Sequence, residues 1–234
     1  MSLFFPVTLN CPSCSQPVVF QACATLNADR RPDLREAIVA DTFQKETCAN
    51  CSTVFRLEPQ MNLLDVGRGQ WIAAFQSGKF ETWTEKETEA RETFANAYGE
   101  NASADAQEIG AELKPRLVFG WLALREKLVA EDHQLNDVDL ELVKISLLRG
   151  IEDPPIHPGT ELRLTGIDPD TNELIFTSAN STDGKVIEEL NIPRELYDEI
   201  AADHEGWQKL REELQKSIFI DYRRLLTTGA HAAA

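Results

Sequence analysis

Long apolar runs are missing from this 234-residue chain. No predominantly apolar, uncharged stretch approaches the roughly 18 residues that a helix needs to span a bilayer. The N-terminal apolar run stops at Pro6 and has no basic residue in front of it, so it lacks the features of a secretion signal. We therefore expect a soluble, cytoplasmic protein.

Basic residues are also scarce. The chain has 23 Lys and Arg against 39 Asp and Glu, which gives a net charge of −16. The deficit is largest after residue 150, where 8 basic residues face 17 acidic ones. A surface this negative repels phosphates, so neither nucleic acid nor a membrane is an expected partner. Apolar residues at 42% and charged residues at 26% are close to globular averages, which excludes a disordered, collagenous or coiled-coil chain.

Signatures of catalysis are absent as well. The sequence contains no G-x-S-x-G and no H-E-x-x-H motif, and its four histidines are scattered. One segment resembles the first positions of a calcium-binding loop, with Asp168, Asp170 and Asn172 at the ligand spacing. Glu173 stands where that loop requires glycine, and Ala179 occupies its twelfth position, so a hairpin turn is favoured. We nominate no catalytic residue and no cofactor-binding site, and we expect a protein that is not an enzyme.

The chain does contain two cysteine pairs, Cys11-Pro-Ser-Cys14 and Cys48-Ala-Asn-Cys51. A two-residue spacer lets both thiolates of a pair bind one ion, and two pairs supply the tetrahedral set of a structural zinc site. The 33 residues between the pairs exceed the roughly 15–20 of a compact zinc ribbon, so an inserted strand and helix must return the chain to the site. We predict that all four cysteines bind one Zn²⁺, with no open position for catalysis.

Other chemistries stay open for these cysteines. Four thiolates also suit an iron–sulfur or rubredoxin-like iron site, and a C-x-x-C pair can form a disulfide or a redox motif. A reducing cytoplasm favours metal ligation over disulfides. The fifth cysteine, Cys23, is alone in a predicted strand, and we interpret it as a small buried side chain.

The cysteine pairs, the R-P-D-L-R-E-A-I-V-A helix between them and the strand from C-A-N-C towards L-L-D resemble the bacterial CpXC domain family. The resemblance covers about residues 5–75. CPSC matches the family's Cys-Pro-any-Cys pattern, whereas CANC has Ala49 in place of the proline. Alanine can still adopt the turn that proline presets. The resemblance implies a metal-binding, zinc-ribbon-like fold, and it implies no particular biochemical role.

Alternating apolar residues predict strands in the first third of the chain. They indicate strands at residues 3–9 and 17–26, and Pro32 is well placed to open a helix after them. The run from Met61 to Phe75 predicts a hairpin that turns at Gly67 to Gly69.

Helical spacing dominates the middle of the chain. Thr84 with Glu87 matches the capping-box pattern and predicts a helix from there to about Tyr98. An apolar stripe that begins near Pro115 predicts a second helix, and with the helix after it residues 115–149 would form a helical hairpin.

Three prolines in residues 151–159 cannot continue a helix and indicate a boundary. After it we predict three short strands, a helix opened by Pro193, and one last helix with an apolar stripe from Trp207 to Leu225. The terminal GAHAAA is interpreted as a disordered tail or linker remnant.

These patterns predict an α+β protein. It would consist of a zinc-ribbon-like, β-rich N-terminal module with an inserted helix, a helical hairpin, and a C-terminal small antiparallel sheet with helices. We divide it into a CpXC-like zinc-binding domain with a helical extension over 1–150, an acidic α+β unit over 151–228, and a tail over 229–234.

Three functions fit the sequence. The leading hypothesis is a non-enzymatic, zinc-stabilised interaction or adaptor protein that docks a protein partner, with Trp83 as a candidate interface anchor. A partner of the acidic C-terminal helices, which carry Glu195, Asp198 and Glu199, should be basic. The alternatives are a nucleic-acid- or transcription-associated zinc ribbon and an enzyme whose site is not recognisable from sequence.

Overall fold

The computed structural model describes residues 2–150, 159–181 and 184–231, and side chains through Leu226. Helices and strands occur along the whole of the described chain, which confirms the α+β class. The chain forms two compact units, residues 1–121 and 122–234. The proline-rich boundary predicted at 151–159 lies outside the described residues except for Gly159, so the division after Gly150 stays a prediction.

Unit 1, residues 1–121, combines strands and helices. In chain order its elements are β1 (Leu3–Asn10), β2 (Pro17–Asn27), α1 (Pro32–Val39), β3 (Lys45–Thr47), β4 (Val54–Arg56), β5 (Met61–Asp65), β6 (Gln70–Phe75), α2 (Trp83–Tyr98), α3 (Ala104–Glu112) and β7 (Lys114–Phe119).

Five of these strands form one mixed sheet in the order β1-β2-β5-β6-β7, while β3 pairs with β4 in a small antiparallel ladder. β1/β2 and β5/β6 run antiparallel, and β2/β5 and β6/β7 run parallel. A parallel pair requires a crossover. α1 and the β3–β4 ladder lie in the first crossover, and α2 and α3 lie in the second. The core follows the central strands, where Leu63, Ile72 and Leu117 are inaccessible to solvent.

The first part of unit 1 agrees with the prediction from sequence. β1 and β2 are confirmed, and Pro32 occupies the first turn of α1. The predicted hairpin is β5 and β6, joined by a 3-10 turn that ends at Gly69. Gly69 has φ +64°, and a Cβ there would lie 2.9 Å from the carbonyl oxygen of Glu112, so the position requires glycine.

The capping box predicted at Thr84 is wrong. Helix α2 begins one residue earlier at Trp83, and no side chain caps its N-terminus. The Glu87 carboxylate instead accepts hydrogen bonds from Arg91 one turn later, at 2.6 and 2.9 Å. The predicted end at Tyr98 is confirmed. Trp83 is partly exposed, and its role as an interface anchor stays a prediction.

The prediction that a helix begins near Pro115 is also wrong, because the helix begins only at Gly120. Residues Lys114–Phe119 form strand β7, which pairs in parallel with β6. Leu117, Val118 and Phe119 are all buried, and a strand buried on both faces has the same continuous apolar run as a buried helix. Gly120, at φ +80°, then turns the chain into the next helix.

Unit 2, residues 122–234, begins inside that helix. Its elements in chain order are α4 (Gly120–Asp132, shared with unit 1), α5 (Asp137–Gly150), β8 (Thr160–Ile167), β9 (Leu174–Asn180), β10 (Val186–Ile192), α6 (Arg194–Ala202), α7 (Gln208–Gln215) and α8 (Tyr222–His231).

The three strands of unit 2 form an antiparallel sheet in the order β10-β9-β8, as the sequence predicted. The turn between β8 and β9 is the one that imitates a calcium loop. The Asp168 carboxylate accepts hydrogen bonds from the backbone N–H groups of Asp170 and Thr171, at 2.8 and 3.0 Å. The hairpin-turn interpretation is therefore confirmed.

The single last helix predicted from Trp207 to Leu225 is two helices, α7 and α8. Between them, Ser217 Oγ accepts the N–H of Phe219 at 2.9 Å and Asp221 Oδ1 accepts the N–H of Arg223 at 2.9 Å. Such local side-chain bonds compete with helical ones, which explains the break. α8 extends through His231, three residues into the predicted tail, and residues 232–234 lie outside the described part.

None of the helices in the described part of the chain combines the length and the apolar character that crossing a bilayer requires.

Candidate metal centre

Both C-x-x-C pairs lie in turns with the same backbone conformation. The carbonyl oxygen of Cys11 accepts the N–H of Ser15 at 2.9 Å, and that of Cys48 accepts the N–H of Ser52 at 2.8 Å. Ser15 and Ser52 have φ of 61° and 60°. The first cysteine of each pair also donates its N–H to the carbonyl five residues further on, at 2.8 and 2.9 Å. Pro12 and Ala49 therefore occupy equivalent positions, and the missing proline does not change the turn.

These two turns bring together the four cysteines that the sequence predicted as ligands. Their sulfur atoms all lie within 4.8 Å of one another. The Sγ atoms of Cys11 and Cys51 are 3.6 Å apart, and so are those of Cys14 and Cys48. Tetrahedral ligation with metal–sulfur bonds of about 2.3 Å places sulfurs roughly 3.8 Å apart, so the set fits one ion. A disulfide needs about 2.05 Å, and all four cysteines are free.

Each pair contributes one buried and one partly exposed sulfur ligand. Cys11 and Cys48 are 2% and 1% exposed, whereas Cys14 and Cys51 are reached by solvent. Thr53 Oγ1 lies 3.2 Å from Cys51 Sγ. Hydrogen bonds from the side chain and backbone of Thr53 lower the pKa of the Cys51 thiol to about 6. Thiolate is the form of cysteine that binds a metal, and the lowered pKa favours it at Cys51.

The β3–β4 ladder carries the second turn and is held by aromatic contacts. Phe55 on β4 packs edge-to-face against Phe20 on β2, with ring centroids 5.2 Å apart. Just before β3, the Gln44 amide donates to the carbonyl of Gln21 at 2.8 Å. These contacts position the ladder against the sheet that carries the first turn.

Arg56 ties the same ladder to the inserted segment after α1. Its Nε donates to the carbonyl of Phe43 at 2.8 Å, and its guanidinium lies 4.1 Å from the centre of the Trp121 ring. It also pairs with Asp41. Trp121 in turn donates Nε1–H to the carbonyl of Leu57 at 2.8 Å. These contacts hold the β3–β4 ladder against the end of the inserted segment, so the second cysteine turn is fixed in place after the 33-residue gap.

The lone Cys23 is not part of this centre. It is 3% exposed, and its thiol donates to the carbonyl of Thr25 at 3.2 Å. Burial raises its pKa to about 11. The interpretation of Cys23 as a small buried side chain is confirmed.

A second group of titratable side chains lies inside unit 2, and sequence reasoning missed it. We call it the ionic cluster. Apart from Arg223 at its margin, its members are 4% exposed or less. It contains four acids and four bases: Glu126, Glu141, Glu161, Asp221, Lys127, Lys144, Arg163 and Arg223.

Arg163 on β8 is at the centre of the ionic cluster. Its guanidinium lies 2.9 Å from the Glu126 carboxylate, 2.6 Å from that of Glu161 and 2.7 Å from that of Asp221. Lys144 lies between Glu126 and Glu141, at 2.9 and 2.8 Å. Each acid in the cluster therefore has at least one base in contact, which is the condition for burying charge without a large penalty.

Electrostatic interactions within the ionic cluster shift the pKa values of its acids in different directions. Burial raises the pKa of Asp221, but Arg163 and Arg223 outweigh burial and hold it well below its ordinary value. Lys144 and Arg163 likewise outweigh burial and lower the pKa of Glu126. Burial, together with repulsion from Glu126 and Asp221, raises the pKa of Glu141. Perturbed carboxyls are typical of active sites, but here they are paired and shut off from solvent, so we interpret the cluster as structural.

Comparison with known proteins identifies the family. The family model described as CpXC protein matches residues 9–144. This match covers more than half of the 234 residues, so the chain belongs to the CpXC family. The match extends well past residue 75, where the resemblance in sequence ends, and it stops inside α5. No curated protein and no solved structure matches the chain.

The first prediction concerns metal content. The purified chain should contain one metal ion per molecule, and Cys48→Ser should lose it because three sulfurs cannot complete the tetrahedron. Elemental analysis measures the ratio. Cys23→Ala, which changes a cysteine outside the centre, should retain the ion. A ratio near zero in freshly reduced wild-type protein would contradict the prediction.

The second prediction concerns the ionic cluster. Arg163→Met leaves three buried carboxylates without their shared partner and should destabilise unit 2 by about 3–5 kcal/mol. Lys216→Met removes a solvent-exposed pair with Glu213 and should have little effect. Amide hydrogen exchange in β8 and α5 measures the difference locally. Equal protection in the two variants would show that the cluster does not stabilise the unit.

The third prediction concerns acid. Because the pKa values of Asp221 and Glu126 are lowered in the folded chain, their stabilisation is complete above the unfolded values and is lost as pH falls through the folded ones. Unit 2 should therefore lose stability progressively below about pH 4. Asp221→Asn should be less stable at pH 7 and should show a shallower acid loss in urea titrations. If the stability of Asp221→Asn falls with pH as steeply as that of the wild type, groups other than Asp221 cause the loss of stability in acid.

Proposed function

We propose that this CpXC protein is a zinc-stabilised interaction protein that docks a protein partner and catalyses no reaction. The observation that carries the proposal is the closed donor set, in which four sulfurs surround one point. Four protein ligands leave no position for water or substrate on a tetrahedral ion. The role of the metal is then to hold two turns of the chain in place.

Zinc is the ion that fits this donor set best. Four thiolates in tetrahedral arrangement are the ligands of structural zinc, and Cys11, Cys14, Cys48 and Cys51 would supply them. Iron bound by the same residues would give coloured protein, so an absorption spectrum and elemental analysis together distinguish the two metals.

The charge of unit 2 supports a basic protein as the partner. Helix α6 buries Tyr197 and Ile200 on its inner face, and Glu195, Asp198 and Glu199 on its outer face are exposed. We call these three acids the α6 face. Arg194 on the same helix pairs with Asp198 at 3.3 Å, which leaves this surface acidic overall. A surface of net negative charge speeds encounter with a positively charged partner and disfavours polyanions such as DNA or RNA. The nucleic-acid alternative is therefore less well supported.

The fourth prediction tests this face. The triple reversal Glu195→Lys, Asp198→Lys and Glu199→Lys should reduce capture of basic host proteins by the immobilised chain, because the attraction becomes repulsion. Quantitative mass spectrometry of captured proteins at low and physiological salt measures the effect. Wild-type capture should also weaken as salt rises, since salt screens exposed charges.

A matched reversal controls for net charge. Glu85→Lys, Glu89→Lys and Glu92→Lys make the same change on the exposed surface of α2 in unit 1. This control should leave capture intact. If both triple variants lose capture equally, net charge and not the α6 face explains the effect. Tight, salt-resistant binding of the wild type to RNA or DNA would favour the nucleic-acid alternative.

A further inference from the structure

The first 28 residues contain no Asp, Glu, Lys or Arg, although these residues make up 26% of the chain. The first charged residue is Asp29. The uncharged stretch comprises β1, the first cysteine turn and β2, which form one antiparallel hairpin. We call it the neutral hairpin.

The neutral hairpin lies at the edge of the sheet of unit 1. β1 is the first strand in the sheet order, and within the described residues it pairs with β2 alone. Apolar side chains on this edge face solvent, since Leu3 is 56% exposed, Phe5 46% and Val19 58%. The start of β1 is held in place, because Ser2 Oγ accepts the N–H of Asn27 at 3.1 Å.

Edge strands are normally protected by charge. The edge strand β10 of unit 2 also exposes two apolar residues, Val186 and Ile187, but Glu188 and Glu189 follow them and are exposed. The edge strand β7 of unit 1 begins with the exposed Lys114. β1 has no such charge. Its edge is therefore open to an uncharged strand in a way that the edge of β10 is not.

We propose that the β1 edge binds a second copy of this chain, with the two β1 strands antiparallel about a two-fold axis. Such an axis places the same surface of each copy against itself. Two chains that each carry −16 repel one another where acids meet acids. β1 brings no charged side chain opposite its own copy, so association along this strand avoids this repulsion.

Pro6 limits the form of the contact. Proline has no N–H, so the ladder between two β1 strands is interrupted at that residue. The exposed apolar side chains at Leu3 and Phe5 then contribute a larger part of the contact than backbone pairing. A basic partner has no reason to select this uncharged edge, so the proposal is independent of the α6 face.

The experiment measures the mass of the full-length, metal-loaded chain by sedimentation velocity and light scattering over a range of concentrations. We expect the mass to rise from 26.2 kDa towards twice that value. Phe5→Glu places like charges close together across the two-fold axis and should weaken the dimer by at least about 100-fold. Val186→Glu also places a Glu at an exposed apolar residue, on the β10 edge, and should leave the dimer intact.

Metal content and circular dichroism show whether each variant is folded. If Phe5→Glu loses its metal, Leu3→Glu takes its place, because Leu3 is more exposed and lies on the same edge strand β1. A wild-type chain that stays at 26.2 kDa at every concentration would overturn the proposal. A dimer that survives the hairpin variants or dissociates with Val186→Glu would overturn it as well. Reversal of the α6 face should leave the mass unchanged, so failure of this proposal and failure of the proposed function are distinguishable.

Discussion

The meeting of four sulfur atoms is the feature that connects the two parts of unit 1, since their Sγ atoms all lie within 4.8 Å of one another. β3 and β4 have three residues each, and a two-stranded ladder this short is not stable alone in water. The second cysteine turn connects these strands, and the first connects β1 to β2 in the main sheet. An ion bound by both turns would link the ladder to the sheet and would replace the core that the ladder is too small to form.

Charge is arranged in three different ways in this protein. In the ionic cluster, acids and bases are balanced and buried, so that each charge is compensated by a contact. On the α6 face, acids are exposed to solvent, where water, salt and the pairing of Asp198 with Arg194 reduce their repulsion. The two strands of the neutral hairpin contain no Asp, Glu, Lys or Arg. The first arrangement suits the packing of unit 2, the second suits attraction of a basic partner, and the third suits contact between identical chains.

Much of the fold was predictable where the signal is local. The C-x-x-C spacing placed the four cysteines together, Pro32 marked the start of α1, and Gly69 marked the end of the hairpin turn. The predictions failed where a local sequence pattern is compatible with two different structures. Thr84 had a capping residue's spacing but lies inside the helix, and the run through Leu117 suits either a buried strand or a helix.

The sequence by itself determined the two C-x-x-C turns, because each turn depends on residues only a few positions apart. That their sulfurs meet, at separations of 34 and 40 residues, depends on the packing of the β3–β4 ladder. Only the tertiary structure decided that Lys114–Phe119 is a strand, because its partner β6 supplies the hydrogen bonds that a helix would have made internally. The ionic cluster was decided in the same way. Arg163 meets Glu126 and Asp221 at separations of 37 and 58 residues, and a charge in a sequence does not show whether water or another side chain will compensate it.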